Sequence, residues 1–230
     1  IGFNPKKVAA VMGPDFKLDS WDAVLKPENL SKLQKCGVSF LNAPTEIMAT
    51  VLHYMGKDPN STNPADYKEA GKLLATLRPH IAYFHSSQYI NDLANGDTCV
   101  AIGWSGDVMQ AAARAEEAKN GVTVDYVIPK EGALVFYDML AIPADAKHPE
   151  NAHAFINYLM RPEVIAKVSN YVSYASGNAA SLPMVDEALR NNPNIYPPAE
   201  LKAKMFALKI LPAKINREIT REWTKVKTGK

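Results

Sequence analysis

The stretch GALVFYDMLAIP, residues 132–143, is an apolar run of strand length that starts with glycine, ends with proline and carries one carboxylate in its middle. This pattern predicts a strand around which the chain is organised. Alternate side chains of a strand share a face, so Phe136 and Asp138 are expected side by side. A buried carboxylate needs a partner, which is a protein cation, a metal, a water-filled cleft or a cationic ligand. The alternative, an aspartate that accepts hydrogen bonds from backbone amides of a nearby loop, stays open.

A second apolar run, residues 99–104, is followed by the turn Ser-Gly-Asp and an alanine-rich helix from 108 to about 118. Ligands of open α/β sheets bind beyond the carboxyl ends of strands, which is where Trp104 and Asp107 fall. The alternative is a capping box formed by Asp107 and Gln110, with Trp104 packed under the helix. The spacing alone favours this alternative.

Helix and strand signals alternate along the rest of the chain, which indicates an α/β fold. The predicted helices lie at residues 20–25, 29–34, 44–56, 64–78, 89–93, 108–118, 148–159, 162–168, 184–189, 201–208 and 215–226. The predicted strands lie at residues 38–41, 81–84, 99–104, 125–128 and 132–143. Glu46 falls in the first turn of its helix, where the helix dipole favours a carboxylate whatever the function.

Length and composition narrow the class of protein. With 230 residues, 47% hydrophobic and 22% charged, the chain can bury one large core or two modest ones, and two lobes fit slightly better. A net charge of +2 predicts no binding to nucleic acid or to a membrane surface, because the Lys and Arg residues that concentrate after Lys202 alternate with Glu218 and Glu222, a pattern typical of a solvated helix face. No apolar run of 18 residues occurs, so no membrane-spanning helix is predicted. The chain begins without Met or a charged leader, and we expect a processed or truncated product.

Enzyme motifs are incomplete. The segment Gly-Trp-Ser-Gly-Asp approaches a nucleophile elbow, but Asp107 occupies the position of its second glycine. The five histidines show no metal spacing, and no Ca²⁺ loop or phosphate-binding glycine loop occurs. A carboxylate pair could still serve a hydrolase or an amine-processing enzyme. We predict no catalytic residue, no metal ligand and no cofactor.

The two cysteines, Cys36 and Cys99, have no CxxC spacing and no neighbouring histidine, which argues against zinc and against a redox centre. A disulfide or two buried thiols remain possible from the residues alone. A disulfide would place the protein outside the cytoplasm.

Three segments carry a resemblance: SSQYINDLANGD at 86–97, AIGWSGDV at 101–108 and IPKEGA at 128–133. They resemble the bacterial periplasmic polyamine-binding proteins of ABC importers, and the resemblance runs the whole length of the chain. It implies an α/β, type II periplasmic-binding-protein-like fold with two lobes that close on a ligand. It further implies a periplasmic receptor for putrescine or spermidine that works with a membrane permease, binds no nucleic acid and is a monomer when complete.

The resemblance also assigns residues. The implied ligand contacts are Glu46, Trp104, Asp107, Phe136, Asp138 and Tyr174. The implied disulfide joins Cys36 to Cys99. By analogy, residues 1–116 belong to the second lobe, 117–192 to the remaining part of the first lobe, and 193–230 to C-terminal helices that return to the second. The family carries a substantial N-terminal portion before the equivalent of Ile1, so we expect one lobe to be incomplete here.

Overall fold

The computed structural model describes residues 1–229, which form two compact units. Unit 1 contains Ile1–Val135 and the residues from Ala199 onward, and unit 2 contains Phe136–Pro198. The helices are α1 (Pro5–Met12), α2 (Asp22–Leu25), α3 (Pro27–Leu33), α4 (Pro44–Tyr54), α5 (Pro64–Leu77), α6 (Gln88–Asn95), α7 (Ser105–Ala118), α8 (Pro149–Leu159), α9 (Pro162–Val172), α10 (Glu187–Arg190), α11 (Ala199–Lys202) and α12 (Ala213–Thr228). The strands are β1 (Gly2–Phe3), β2 (Val38–Phe40), β3 (Tyr83–Phe84), β4 (Val100–Ala101) and β5 (Asp125–Tyr126).

The five strands form one mixed sheet in unit 1, in the order β3-β2-β4-β1-β5. Strand β2 pairs in parallel with β3 and with β4, and Val38 lies opposite Val100. Strand β1 pairs antiparallel with β4 and with β5. Of the strand predicted at 99–104, Val100 and Ala101 form β4, which lies inside the sheet as the apolar sequence indicates.

Proline and a preceding polar residue start many of the helices. In α1, Asn4 Oδ1 accepts a hydrogen bond from the backbone N–H of Lys7 at 3.0 Å, and Pro5 occupies the first helical position. In α5, Asn63 and Pro64 repeat the arrangement. Proline fits there because its fixed φ suits a helix and its missing N–H has no intrahelical partner at that position. The helices that pack on the sheet are thus fixed at their starts by local chemistry.

The core of unit 1 lies between the sheet and the helices around it. Its largest fully buried side chains include Phe40, Tyr67 and Tyr89. The C-terminal helix α12 packs on α5 and α4, with its apolar stripe buried as the sequence predicts. Gly71 of α5 allows this close approach to α12, because a Cβ at that position would lie only 3.0 Å from Oε2 of Glu222 on α12.

A disulfide joins Cys36 to Cys99, with 2.02 Å between the sulfurs and 5.4 Å between the Cα atoms. This confirms the pairing that the resemblance implies. It also excludes the alternative of two buried thiols, which the residues alone leave open. The bond ties the segment after α3 to the start of the central strand β4. A closed loop of 63 residues corresponds to a stabilisation of about 4 kcal/mol.

The expected strand at 132–143 is wrong for most of its length. Leu134 forms an isolated parallel bridge with Phe206, and Val135 N donates to Phe206 O at 2.8 Å. Beyond Val135 this run forms no strand, and most of its apolar side chains are exposed, with Leu140 at 59%. An apolar run becomes a strand only where a neighbouring backbone completes its hydrogen bonds. Phe206 supplies those bonds at Ala133 and Val135 only.

One further expectation needs correction. Helix α8 forms as predicted, with an apolar face that is not buried, and Phe155 is 57% exposed. The helix predicted at 201–208 is only the short α11, Ala199–Lys202. Helix α1 was not predicted, although its start carries the same Asn-Pro signal as α5.

Candidate functional site

The corner between β4 and α7 places two of the predicted contacts near each other. Trp104 is the N-cap residue of α7, with extended φ and ψ of −78° and 141°. Asp107 lies in the first turn of the same helix, where the macrodipole favours a carboxylate. Both side chains are partly exposed. The corner therefore presents an aromatic ring and a carboxylate on the same turn of chain.

Tyr89, which the sequence analysis did not single out, connects these two residues. Its hydroxyl donates to Asp107 Oδ2 at 2.8 Å and accepts from the backbone N–H of Trp104 at 2.9 Å. Tyr89 lies on α6 and is fully buried. Its contact with Asp107 spans two helices, so no spacing in the sequence reveals it. The nearest signal is that Tyr89 lies within the segment 86–97 that carries the resemblance.

The capping-box alternative for Asp107 does not hold. Helix α7 begins at Ser105, so Asp107 is inside the first turn and is not the N-cap residue. Gln110 is also engaged elsewhere, because its Oε1 accepts from Arg114 Nη2 at 2.7 Å. Trp104 does pack partly against the core of unit 1, as that alternative also expected. The carboxylate of Asp107 is thus held by Tyr89 and by no capping box.

Glu46 occupies the first turn of α4, in the same unit. It is half-buried, and its carboxylate has no hydrogen-bond or ion-pair partner among residues 1–229. Proline at position 44 fixes the start of the helix, so the side chain is carried by a well-defined turn. Such a carboxylate can receive a cation without giving up a protein partner.

Unit 2 carries the other three predicted contacts. The rings of Phe136 and Tyr174 meet edge to face, with 6.0 Å between centroids and 70° between planes. Tyr174 follows the end of α9, where Ser173 adopts a left-handed φ of 59°. Asp138 lies two residues beyond Phe136, is exposed, and has no hydrogen-bond partner among the described residues. The backbone amides that the structural alternative for Asp138 requires are therefore not found in this part of the chain.

The chemistry of these residues is that of cation binding by carboxylates and aromatic faces. Among the described residues, no group of three or more His, Cys, Asp or Glu side chains is placed to hold a metal ion. Among the same residues, no helix has both the length and the apolar character that a bilayer crossing requires. Aromatic rings attract cations over their faces, and carboxylates pair with ammonium groups.

Comparisons with known proteins agree with this chemistry. The family described as "Bacterial extracellular solute-binding protein" matches residues 5–197. The chain is 61% identical, over its whole length, to the putrescine-binding periplasmic protein PotF of Escherichia coli (strain K12). It is 56% identical to the putrescine-binding periplasmic protein SpuD of Pseudomonas aeruginosa (strain UCBPP-PA14), again over its whole length. The chain spans 62% and 63% of these two relatives.

A solved structure shows the same fold. The substrate-binding protein PotD of the spermidine/putrescine ABC transporter of Streptococcus pneumoniae (strain Canada MDR_19A) superposes with a TM-score of 0.78 at 22% identity. The match covers 99% of this chain and 65% of that structure. The α/β, type II periplasmic-binding-protein-like fold is thus confirmed, as is the resemblance to periplasmic polyamine-binding proteins. The relatives are named periplasmic and the family extracellular, which confirms the predicted location.

Proposed function

The chain belongs to the bacterial extracellular solute-binding protein family, and on that premise we propose that it is the larger part of a periplasmic polyamine receptor. The receptor binds putrescine or spermidine and delivers it to an ABC importer. The observation that carries the proposal is 61% identity over the whole chain to a protein named for putrescine binding. All six residues assigned from the resemblance are carboxylic or aromatic, as a polyamine requires.

The ligand explains why both residue types are needed. A primary alkyl amine has a pKa near that of lysine, about 10.4, so a polyamine is a polycation at neutral pH. Between its charges lie apolar methylene groups. Carboxylates can pair with the ammonium groups, while aromatic faces cover the methylenes and add cation–π attraction of roughly 0.5 to 2 kcal/mol each.

The six assigned residues include both carboxylates and aromatic rings. In unit 1, Trp104 and Asp107 share the start of α7, and Glu46 lies on α4. In unit 2, Phe136 and Tyr174 form a ring pair, with Asp138 nearby in the chain. We propose that all six contact the ligand in the complete receptor. Asp107, Asp138 and Glu46 are assigned to the ammonium groups.

The proposal also covers the partners, the oligomeric state and the lobes of the complete receptor. The partners are a polyamine and the membrane permease of an ABC transporter, with no nucleic acid, and the complete receptor is a monomer. Residues 1–116 and 193–230 belong to its second lobe, and 117–192 to part of its first. This lobe assignment concerns the complete receptor and stays a prediction, whereas the units described above are those of this chain.

Calorimetry on the complete receptor tests the function. We expect saturable binding of putrescine or spermidine at one site per chain. As a matched control, 1-aminobutane has the carbon chain of putrescine but one ammonium group, so it leaves one carboxylate unpaired. It should bind about 100-fold more weakly. Equal affinity for putrescine and 1-aminobutane would exclude a site built for two cationic ends.

The same mixtures of receptor and polyamine also test whether the protein is a receptor or an enzyme. A receptor returns its ligand unchanged, and the chain shows no complete motif for a nucleophile, an oxyanion site or a metal. Recovery of intact amine by mass spectrometry after prolonged incubation is the expected result. Chemically altered amine, in amounts that depend on Asp107 or Asp138, would identify an amine-processing enzyme instead.

The chain alone should bind polyamines at least tenfold more weakly than the complete receptor. It spans 62% of its putrescine-binding relative, and part of the site then lacks the neighbours that hold it preorganised and shielded from water. Titration of the two proteins under identical conditions measures the difference. Equal affinities would show that the residues of this chain are sufficient.

A further inference from the structure

The feature that goes beyond the assigned contacts is the tyrosine between them. Tyr89 is fully buried on α6, and its one hydroxyl bridges Asp107 and Trp104. A carboxylate can only accept a hydrogen bond, and a backbone N–H can only donate one. The roles are therefore fixed: Tyr89 donates its proton to Asp107 Oδ2 and accepts from the backbone of Trp104.

The ring of Tyr89 is itself held in place. A Cβ at Gly103 would lie 2.4 Å from Tyr89 Cε2, so the ring occupies the space that a side chain at that position needs. Glycine at 103 and tyrosine at 89 are thus matched in shape. The hydroxyl has little freedom to move away from the corner, because interiors pack at crystal-like density.

The hydrogen bond leaves part of Asp107 free. Its Oδ2 accepts from Tyr89, while Oδ1 has no partner among the described residues. Asp107 is partly exposed, so this oxygen can meet a ligand. Because the hydrogen bond fixes Oδ2, it also fixes the orientation of Oδ1. A carboxylate that is already ordered loses less conformational entropy when the ligand binds.

We propose that Tyr89 is a positioning residue for polyamine binding, which orients the Asp107 carboxylate and fixes the backbone of Trp104 at the same time. This inference rests on the proposed function. Tyr89 makes no contact with the ligand itself, since it is fully buried. Its effect on affinity is transmitted through Asp107 and the backbone of Trp104, with the larger share through the charged carboxylate.

Tyr89→Phe in the complete receptor tests the proposal, because it removes one oxygen and keeps the ring. We expect about tenfold weaker binding of putrescine or spermidine by calorimetry, since a hydrogen bond to a charged group is lost. Tyr67→Phe is the matched control. Tyr67 is also fully buried, and its hydroxyl donates to Ser61 O at 2.7 Å, away from the corner. That variant should lower the melting temperature and leave affinity within twofold of wild type.

A double-mutant cycle separates positioning from general destabilisation. In an Asp107→Ala background the carboxylate is gone, so Tyr89→Phe should change affinity by less than about threefold. A tenfold effect in both backgrounds would overturn the proposal, and so would wild-type affinity in Tyr89→Phe alone. If the wild-type receptor binds neither polyamine, the proposed function fails first, and the positioning role fails with it.

A crystal structure of the wild-type receptor with polyamine covers the case in which Tyr89→Phe does not fold. We expect Tyr89 Oη to remain within hydrogen-bond distance of Asp107 Oδ2 while Oδ1 contacts an ammonium group. An Asp107 carboxylate turned away from Tyr89 in the bound structure would contradict the inference.

Discussion

Unit 1 and unit 2 both contain α-helices, but the two units differ greatly in how many of their apolar side chains are buried. Unit 1 has a five-stranded sheet and a large apolar core. In unit 2, Ala166, Val185 and Ile195 are the only apolar side chains that are buried among the described residues. Ten of the eleven large apolar side chains that are exposed in the described chain belong to unit 2.

The difference shows what local sequence signals can establish. Caps, prolines and periodicity decide where a helix forms, and they act within a few residues. Burial depends on a second layer that covers the apolar face. Unit 2 has the helices without that layer, so most of its large apolar side chains stay exposed. We therefore expect unit 1 to carry most of the stability of the chain.

The largest expected effect comes from the disulfide, which lies in unit 1. Replacing both Cys36 and Cys99 by serine should lower the free energy of unfolding of unit 1 by about 4 kcal/mol, because the 63-residue loop is no longer closed in the unfolded state. Urea unfolding followed by tryptophan fluorescence reports on unit 1, since Trp21, Trp104 and Trp223 all belong to it. An unchanged midpoint would show that the bond adds nothing to this unit.

A matched pair of leucines compares the two units directly. Leu74 is fully buried in unit 1, whereas Leu140 of unit 2 is 59% exposed. Leu74→Ala should cost about 3 kcal/mol through lost burial and a cavity, and Leu140→Ala less than about 0.5 kcal/mol. Both values come from urea unfolding of the chain. Equal costs for the two substitutions would mean that Leu140 is buried in solution and that the contrast between the units is wrong.

The smallest expected effect concerns a surface carboxylate. Lys57 and Ser61 hold the pKa of Asp66 below its usual range through hydrogen bonds, and the distance from Lys57 Nζ to Asp66 Oδ1 is 2.8 Å. A lowered pKa stabilises the fold above pH 4, and this contribution disappears as the pH falls through the lowered pKa. Asp66→Asn should therefore cost about 0.5 to 1 kcal/mol at pH 7 and measurably less at pH 3.

The control for that experiment lies in unit 2. Asp186 accepts from the neutral amide of Asn170 at 2.8 Å, so Asp186→Asn removes a charge that has no cationic partner in this contact. Its effect should stay below that of Asp66→Asn at pH 7. A pH-independent cost for Asp66→Asn, measured by urea unfolding at both pH values, would show that the ion pair is not its cause.

Most of the fold of unit 1 could be predicted from the sequence. Helix α5 begins where Asn63 and Pro64 place it, and α12 buries the stripe that its period indicates. Helix α1 could have been found by the same rule at Asn4 and Pro5. The prediction of a strand at 132–143 is wrong for a physical reason. The apolar pattern describes a single segment, whereas a strand also needs a neighbouring strand to complete its hydrogen bonds, and one segment's sequence does not show whether that neighbour exists.

The site could be predicted only in part. Trp104 and Asp107 are visible in the sequence as an aromatic residue and a carboxylate just after a strand, and the resemblance assigned four further carboxylates and aromatic residues. The hydrogen bond from Tyr89 to Asp107 could not be predicted, because it joins two different helices. In the sequence, the aromatic ring of Tyr89 is typical of a core residue. The disulfide shows the same limit, since the spacing of Cys36 and Cys99 does not reveal that they are close in space.

The central proposal is that the complete receptor binds a polyamine through carboxylates carried by this chain, and Asp138→Asn in the complete receptor tests it most directly. The substitution keeps the shape of the side chain and removes its charge, so a bound ammonium would be left unpaired. Calorimetry with putrescine and spermidine, together with the melting temperature without ligand, measures both consequences. We predict a loss of roughly 2 to 5 kcal/mol in binding free energy and an unchanged melting temperature. Unchanged affinity with a lowered melting temperature would contradict the account, because Asp138 would then be a structural acid outside the site.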